Sequence, residues 1–244
     1  MKKICLLLLL ASPCLAGTIT TNFSPIGTLT FSTGTVPILL TTHTFAGSSN
    51  TNSITTPGIN TVGSSLIVVI VSTYTLQTSG TGLSDSLSNT WIGLNTYANS
   101  NLNEVTMFYA ANPTTGAAQT FTINSGAGYP ALAVLAFSGT PAAPFDSQNG
   151  GVTASATTLQ PGNVTPSVDN ELIVTGLSLG GTGVASINSG FTITDQIAQN
   201  GASNYGVAGA YIIKGFGTSG FGVNPTWTNS GSATSLASDI TVFK

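Results

Sequence analysis

Charged side chains are scarce in this sequence of 244 residues, since Asp, Glu, Lys and Arg make up only 5% of it. Lys2 and Lys3 lie at the amino terminus, which leaves Lys214 and Lys244 against seven acidic residues in the rest of the chain. A nucleic-acid-binding protein needs a cationic face to neutralise phosphates, and attachment to an anionic membrane surface needs a polybasic cluster. Two lysines supply neither, so we expect no nucleic-acid partner and no polybasic membrane contact.

Cysteine and histidine are also rare. Cys5 and Cys14 both lie close to the amino terminus, and His43 is the one histidine. The chain beyond residue 16 therefore forms no disulfide, and a zinc site built from Cys and His is not expected. Calcium prefers several closely spaced carboxylates, and the sequence has no D-x-D-x-D pattern. We therefore predict neither a metal ion nor another cofactor.

The first 16 residues, MKKICLLLLLASPCLA, place an apolar run between two lysines and a group of small residues. This layout is that of a secretory signal peptide, with Cys14 and Ala16 at the −3 and −1 positions. The run is shorter than the roughly 20 apolar residues that a membrane span requires. We expect cleavage after Ala16, an exported mature domain over residues 17–244 that is secreted or held at the cell surface, and no integral membrane protein.

The remaining sequence has the composition and periodicity of β-strands. Phe121 and Ile123 alternate with Thr120 and Thr122, as in a strand with one buried face. The continuously apolar segment SLIVVIVSTY (65–74) predicts a strand covered on both faces. Turn pairs of Gly, Pro and Asn separate about 10–13 predicted strands, and strands at this spacing are typical of an all-β antiparallel sandwich.

A shift of 106 residues superimposes two parts of the chain. The segments 66–68 and 172–174 both read LIV, TFT (120–122) matches TWT (226–228), and Phe137 matches Phe243. We interpret this as an internal pseudo-repeat with halves at about 46–139 and 151–244. The preferred fold is a single jelly-roll-like sandwich containing both halves. The alternative is two tandem immunoglobulin-like sandwiches.

A longer set of motifs covers most of the chain from about residue 57. It comprises SLIVVIVS, LSDSLSNTW, MFYAANPTTGAAQTFTI, YPALAVLAFSG and PFD, followed by DNELIVTGLSL, SGFT, YGVAGAYIIK, PTWT and ITVFK. This series resembles a family of exported bacterial β-sandwich modules that carry a D-S-x-G-N-T turn and a closing W…AFK-like strand. The resemblance implies a fold defined by its strands rather than by catalytic residues. Ser88 replaces the family's turn glycine, and Ala136 stands where an acid is common, so no role of that acid is transferred.

The catalytic candidates have ordinary structural explanations. A Ser-His-Asp triad would have to use His43, and no G-x-S-x-G elbow is present. Asp169 and Glu171 are spaced to point to one side, as a glycosidase pair requires, but solvated turn acids are the simpler interpretation. In GLSDSLSNTWIG (82–93), Asp85 and Asn89 are expected to stabilise a turn rather than a metal ion. We therefore expect no enzymatic activity.

Aromatic side chains provide the best candidate for ligand binding. Tyr129 and Tyr205 lie in segments rich in Gly and Asn, where exposed rings are expected, whereas Trp227 aligns with Phe121 in the repeat and is expected in the core. An exposed tyrosine beside amide and hydroxyl groups suits a sugar ring. The sequence predicts a secreted, non-enzymatic interaction, adhesion or structural module of the cell surface or extracellular matrix, and the candidate partners are a glycan and a surface protein. The alternative is a carbohydrate-binding module or a relative of a glycan-active enzyme.

Overall fold

The computed structural model describes residues 20–23, 27–30, 35–47, 51–74, 82–100, 102–124, 128–201 and 204–244. The predicted leader lies outside these ranges. Regular structure in the described ranges consists of antiparallel β-strands, and none of these residues forms a helix able to span a bilayer. The chain divides into two compact units, residues 1–35 and 36–244. In the first unit, strands β1 (Thr20–Phe23) and β2 (Gly27–Thr30) form a hairpin.

The described residues of the first repeat of the larger unit form nine strands, which belong to two sheets. They are β3 (Ile38–Ala46), β4 (Ser53–Thr55), β5 (Leu66–Tyr74), β6 (Leu83–Asp85), β7 (Ile92–Gly93), β8 (Tyr97–Ala98), β9 (Asn103–Ala111), β10 (Phe121–Asn124) and β11 (Ala131–Ser138). The large sheet has the order β3-β11-β5-β9-β7, and β8 also pairs with β9. The small sheet has the order β4-β10-β6.

The second repeat forms the same two sheets from eight strands. They are β12 (Phe145–Ala156), β13 (Thr158–Leu159), β14 (Leu172–Leu179), β15 (Ala185–Ile187), β16 (Thr192–Ile197), β17 (Gly206–Ile213), β18 (Trp227–Asn229) and β19 (Thr234–Phe243). The large sheet has the order β12-β19-β14-β17-β16, and the small sheet has the order β13-β18-β15. The pairings of the two repeats correspond, except that the single strand β16 takes the place of both β7 and β8.

The strand order within each repeat is that of a jelly roll. The first strand pairs with the last, the last pairs with the third, and the second and fourth strands flank the penultimate strand in the small sheet. This confirms the predicted all-β antiparallel sandwich and its internal repeat. Each repeat builds a sandwich of its own, so the two halves do not share the single sandwich of the preferred prediction. The described residues contain nineteen strands rather than about 10–13, because several are only two or three residues long.

The larger unit consists of four sheet layers with an apolar cluster between each neighbouring pair. One cluster lies between the large and small sheets of the first repeat and includes Ile67 and Phe121. A second occupies the same place in the other repeat and includes Ile173 and Trp227. The third contains side chains from both large sheets, which therefore pack face to face. Both large sheets are covered on two faces, which explains the unbroken apolar character of β5 and β14.

Contacts between the two large sheets obey a pseudo-two-fold symmetry. Phe137 packs edge-to-face on Tyr211 with ring centroids 5.5 Å apart, and Phe243 packs on Tyr109 at 5.4 Å, both at an interplanar angle of 67°. Phe137 and Phe243 are equivalent in the repeat, and so are Tyr109 and Tyr211 by their register in the sheets. Each contact between the large sheets therefore occurs twice, with the roles of the two repeats exchanged, as in an isologous dimer interface.

The polar contacts of this interface follow the same symmetry. The hydroxyl oxygens of Ser72 and Ser178, which are 106 positions apart, lie 2.6 Å from each other, and the pseudo-two-fold axis passes near this pair. At one edge the N–H of Thr44 donates to Oδ2 of Asp195 at 2.8 Å. At the opposite edge the N–H of Asn95 donates to Oε1 of Gln148 at 3.2 Å.

Both repeats begin one strand earlier than the sequence alignment indicates. The first strand of each is β3 or β12, so the halves span residues 38–138 and 145–243 instead of about 46–139 and 151–244. β3 and β12 are edge strands whose side chains are mostly half-buried or exposed, so they share no apolar motif. The segment 139–151, which lies between the two predicted halves, supplies the beginning of β12.

Candidate functional site

The turn that carries Asp85 is organised by its carboxylate. Oδ1 accepts hydrogen bonds from the N–H of Leu87 at 2.7 Å and from the side-chain amides of Asn89 and Gln119 at 3.2 and 3.1 Å. Oδ2 accepts from the N–H of Asn89 at 3.2 Å and from Nε1 of Trp91 at 2.8 Å. Five protein donors surround the carboxylate and occupy the positions that a cation would need. The predicted turn role of Asp85 matches this geometry.

Ser88, which stands where the predicted resemblance expects a turn glycine, adopts a left-handed conformation with a φ of 58°. A residue with a Cβ atom is disfavoured there, and glycine is not. The backbone at this position thus has the conformation for which the turn glycine of the similar family is suited.

The acidic residues of the second repeat do not form a solvated pair. Oδ1 of Asp169 accepts the N–H groups of Thr218 and Ser219 at 3.0 and 2.9 Å. Hydrogen bonds from the backbone N–H groups of residues 217–219, that of Gly217 foremost, hold the pKa of Asp169 below its usual value. Glu171 is fully buried instead of solvated, which corrects the sequence interpretation. Burial, and secondarily the charge of Asp146, raises the pKa of Glu171.

Ser167 connects Glu171 to Asp146. Its N–H donates to Oδ2 of Asp146 at 3.1 Å, and its hydroxyl donates to Oε1 of Glu171 at 3.2 Å. Nζ of Lys244 lies 3.5 Å from Oδ1 of Asp146 and balances that carboxylate. In the described part of the chain no group of three or more His, Cys, Asp or Glu side chains is arranged to hold a metal ion.

His43 is half-buried on β3, opposite Val134. Its Nε2 is enclosed and makes no hydrogen bond to any described residue. A triad histidine must accept a proton from a nucleophilic hydroxyl through a ring nitrogen. The described residues place no such hydroxyl within hydrogen-bonding distance of this Nε2 atom.

The two tyrosines selected from the sequence meet in the structure, although 76 positions separate them. The rings of Tyr129 and Tyr205 pack edge-to-face with centroids 5.8 Å apart, and the N–H of Tyr205 donates to the carbonyl of Tyr129 at 3.0 Å. Tyr74 completes this tyrosine cluster, because its N–H donates to the carbonyl of Gly128, the neighbour of Tyr129, at 3.2 Å. Burial, and secondarily the hydroxyls of Tyr74 and Tyr129, raises the pKa of Tyr205. All three rings are half-buried.

The geometry of the tyrosine cluster suits a contact between the repeats. Tyr129 precedes β11 of the first repeat and Tyr205 precedes β17 of the second, so their contact joins the two sandwiches. The rings pack against each other and do not lie side by side as one flat platform. Their role in ligand binding stays a prediction.

A different surface displays aromatic side chains openly. The segment KGFGTSGFG, residues 214–222 between β17 and β18, is named here the phenylalanine loop. Phe216 is 88% exposed and Phe221 is 68% exposed, the two highest values among the large apolar side chains of the described residues. Val168, 46% exposed, precedes Asp169, whose carboxylate binds this loop.

Hydrogen bonds hold the phenylalanine loop in a defined conformation. In addition to the two bonds to Asp169, the N–H of Gly220 donates to the carbonyl of Pro166 at 2.8 Å. The hydroxyl of Thr218 donates to the carbonyl of Gly215 at 2.6 Å. Gly217 and Gly220 have φ values of 76° and 80°, which side-chain-bearing residues rarely adopt. The loop therefore presents its phenylalanines on a backbone that is held in place by hydrogen bonds.

The phenylalanine loop is where the two repeats diverge. The equivalent connection of the first repeat, NPTTGAAQT between β9 and β10, is shorter and has no aromatic residue. Sequence reasoning overlooked the loop because its phenylalanines lie between strands of a chain rich in aromatic core residues. The sequence feature that indicates exposed rings is the pair of Gly-Phe-Gly triplets, because the neighbouring glycines have no side chain against which the ring could pack.

Comparison with protein-family models, with curated proteins and with solved structures finds no match to this chain. The resemblance to exported bacterial sandwich modules therefore stays a prediction. The phenylalanine loop and the tyrosine cluster are the two candidate sites that the geometry provides.

Proposed function

We propose that this protein is an exported, non-enzymatic interaction module that attaches to a cell surface through the phenylalanine loop. The observation that carries the proposal is the exposure of Phe216 and Phe221 on a backbone held by hydrogen bonds. Large exposed apolar side chains that occur together on a soluble protein mark interaction sites. The stability of the sandwiches does not require them, because neither ring belongs to an apolar core cluster.

The engagement of the acidic groups supports a binding role. Asp85 is saturated by five donors, Asp169 binds the loop, and Asp146 lies against Lys244. Each of these three carboxylates is engaged by donors or a cation of the protein itself. The export assignment depends on the leader-like amino terminus, and the surface location on the resemblance to exported modules.

A carbohydrate-binding module is the second candidate. The convergence of Tyr74, Tyr129 and Tyr205 favours it, because three phenolic groups in one place offer both ring faces and hydroxyls to a sugar. Its half-buried rings make this site the weaker candidate of the two.

The test is association of purified residues 17–244 with envelope fractions of the source organism. We expect the double variant Phe216→Ser/Phe221→Ser to lose at least about 90% of the bound fraction, because the exposed rings supply the contact area. The matched control is Val62→Ser/Val184→Ser, which removes two other apolar side chains that are 59% and 57% exposed. This control should bind like the unmodified protein.

Three results would contradict the proposal. The unmodified protein could fail to associate with envelopes, or the phenylalanine variant could associate as well as the control. Loss of binding in Tyr129→Ala or Tyr205→Ala, with the phenylalanine variant unaffected, would place the site in the tyrosine cluster. Thermal unfolding of each variant shows whether it is folded.

A further inference from the structure

We infer that the partner of the phenylalanine loop is a zwitterionic lipid surface, into whose interfacial region Phe216 and Phe221 insert. This inference rests on the proposed function, since it names what the same loop contacts. The alternatives are a second copy of the chain, a protein partner and a glycan. The area of the exposed rings, the hydrogen-bonding groups beside them and the charges around the loop each help to discriminate between these partners.

The area of the aromatic surface is too small for a stable protein interface. A phenylalanine offers about 200 Å² of surface, so exposures of 88% and 68% leave about 300 Å² on the two rings. A stable protein–protein interface buries about 800 Å² on each partner. Lipid requires no shape-complementary patch, because acyl chains and headgroups rearrange around an inserted side chain. The loop therefore suits shallow insertion better than docking of a second copy.

Two polar side chains near the rings, those of Asp169 and Thr218, make hydrogen bonds within the protein. The carboxylate of Asp169 binds two N–H groups of the loop, and the hydroxyl of Thr218 binds a carbonyl of the same loop. A phenylalanine ring offers no hydrogen-bonding group of its own. A sugar held here would gain stacking but few of the directional contacts by which proteins recognise hydroxyls. An apolar partner needs no hydrogen bonds from the loop, so the engagement of these groups does not weaken its binding.

The charges around the loop decide the kind of lipid. Lys214 and Lys244 are the two lysines of the described residues, and both lie at this end of the second repeat. The carboxylate of Asp146 balances Lys244, and Asp169 adds a negative charge beside the loop. The rest of the protein is acidic, so an anionic membrane would repel it. We therefore expect binding to neutral phosphatidylcholine with little dependence on salt.

The braced backbone favours insertion energetically. Glycines on both sides of Phe216, together with Gly220 and Gly222 beside Phe221, leave the rings without side-chain neighbours in the chain. A Cβ atom added at Gly215, Gly217 or Gly220 would meet nothing within 4 Å, so the space around the loop is open. A loop ordered in advance loses little conformational entropy on binding. Insertion of either ring therefore requires little further ordering of the loop.

The experiment measures co-sedimentation of residues 17–244 with phosphatidylcholine vesicles. We expect the unmodified protein to bind, with a partition coefficient that changes less than twofold between low and high salt. Phe216→Ser/Phe221→Ser should bind at least about tenfold more weakly, and Val62→Ser/Val184→Ser should bind like the unmodified protein. Adding phosphatidylserine to the vesicles should weaken binding at low salt.

A fluorescence measurement reports the point of insertion. In Phe221→Trp the new indole should shift its emission to shorter wavelength on vesicle addition and be quenched by lipids brominated near the headgroup. Val184→Trp is the matched control and should show neither change. Its position is 57% exposed and lies outside the phenylalanine loop.

The outcomes separate the lipid inference from the proposed function. Absence of vesicle binding together with phenylalanine-dependent envelope binding would overturn the lipid inference and leave the interaction module standing. Absence of both would overturn both. Light scattering that shows a phenylalanine-dependent dimer, or phenylalanine-dependent binding to a glycan array without vesicle binding, would assign the loop to one of the other partners.

Discussion

Raising the pH from 5 to 8 is expected to lower the free energy of unfolding by about 3 kcal/mol, chiefly through Asp239. This side chain lies on β19 and faces the space between the two large sheets, where it is almost completely buried. Oδ1 accepts the N–H of Gly176 at 2.9 Å, whereas Oδ2 is enclosed without a partner among the described residues. Burial raises the pKa of Asp239 from 3.8 to about 7.

The direction of the effect follows from proton linkage. Between pH 3.8 and 7 the folded protein keeps the proton on Asp239 and the unfolded chain releases it. The stabilisation is complete below pH 3.8 and is lost as the pH rises through 7. Burial and the charge of Asp146 also raise the pKa of Glu171, which adds a contribution of the same sign. Tyr97 faces Asp239, and its pKa is raised mainly by burial.

Urea unfolding at several pH values checks this prediction. Asp239→Asn keeps an oxygen for the N–H of Gly176 and cannot ionise, so its stability should vary much less between pH 5 and 8. The control is Asp195→Asn, at a carboxylate that accepts the N–H groups of Thr44 and Gln196. It should retain the pH dependence of the unmodified protein. Equal pH dependence in both variants would show that Asp239 is not the responsible group.

Replacing Gly176 by alanine is expected to cost about 3 kcal/mol, because the interface has no room for a side chain there. A Cβ atom would overlap Cγ2 of Ile70 and lie 2.6 Å from Oδ1 of Asp239. Ile70 is the repeat equivalent of Gly176, so one bulky residue fills the space of both near the pseudo-two-fold axis. The effect should appear as a lower midpoint of urea unfolding with an unchanged slope.

Two comparisons isolate this steric cause. Gly201→Ala has no atom within 4 Å of the added Cβ and should change stability by less than about 0.5 kcal/mol. Ile70→Ala should cost less in the Gly176→Ala background than alone, because the two substitutions share one space. Additive effects of the two substitutions would indicate that Ile70 and Gly176 do not face each other.

The strand framework and its duplication were accessible from the sequence because apolar patterns report burial. LIV at 66–68 and 172–174 occupies equivalent places in β5 and β14, and Phe121 and Trp227 are buried in equivalent small sheets. Periodicity carries this information wherever a strand has a buried face. The stacking of the two large sheets was less accessible, because continuously apolar strands do not identify the surface that covers each face.

The features that deviate from the repeat were inaccessible for a different reason. Asp239 aligns with Ala133, and an acid in an apolar strand gives no local sign that it will be buried between sheets. Glu171 was interpreted as solvated because it lies near a turn, although it is fully buried and accepts a hydrogen bond from Ser167. The exposed residues of the phenylalanine loop are of the same type as the phenylalanines of the core, so composition does not distinguish them. Their role depends on tertiary placement and not on residue type.

Face-to-face stacking of the two repeats is the central claim, because it places the phenylalanine loop on a rigid four-layer scaffold. The most direct test is the double variant Ser72→Cys/Ser178→Cys, expressed as residues 17–244, which contain no other cysteine. The two hydroxyl oxygens lie 2.6 Å apart, close to the length of about 2.05 Å of a disulfide bond. Oxidation should give an intramolecular disulfide in nearly all molecules, detected by mass spectrometry. Two free thiols, or only intermolecular disulfides, would contradict the stacked arrangement.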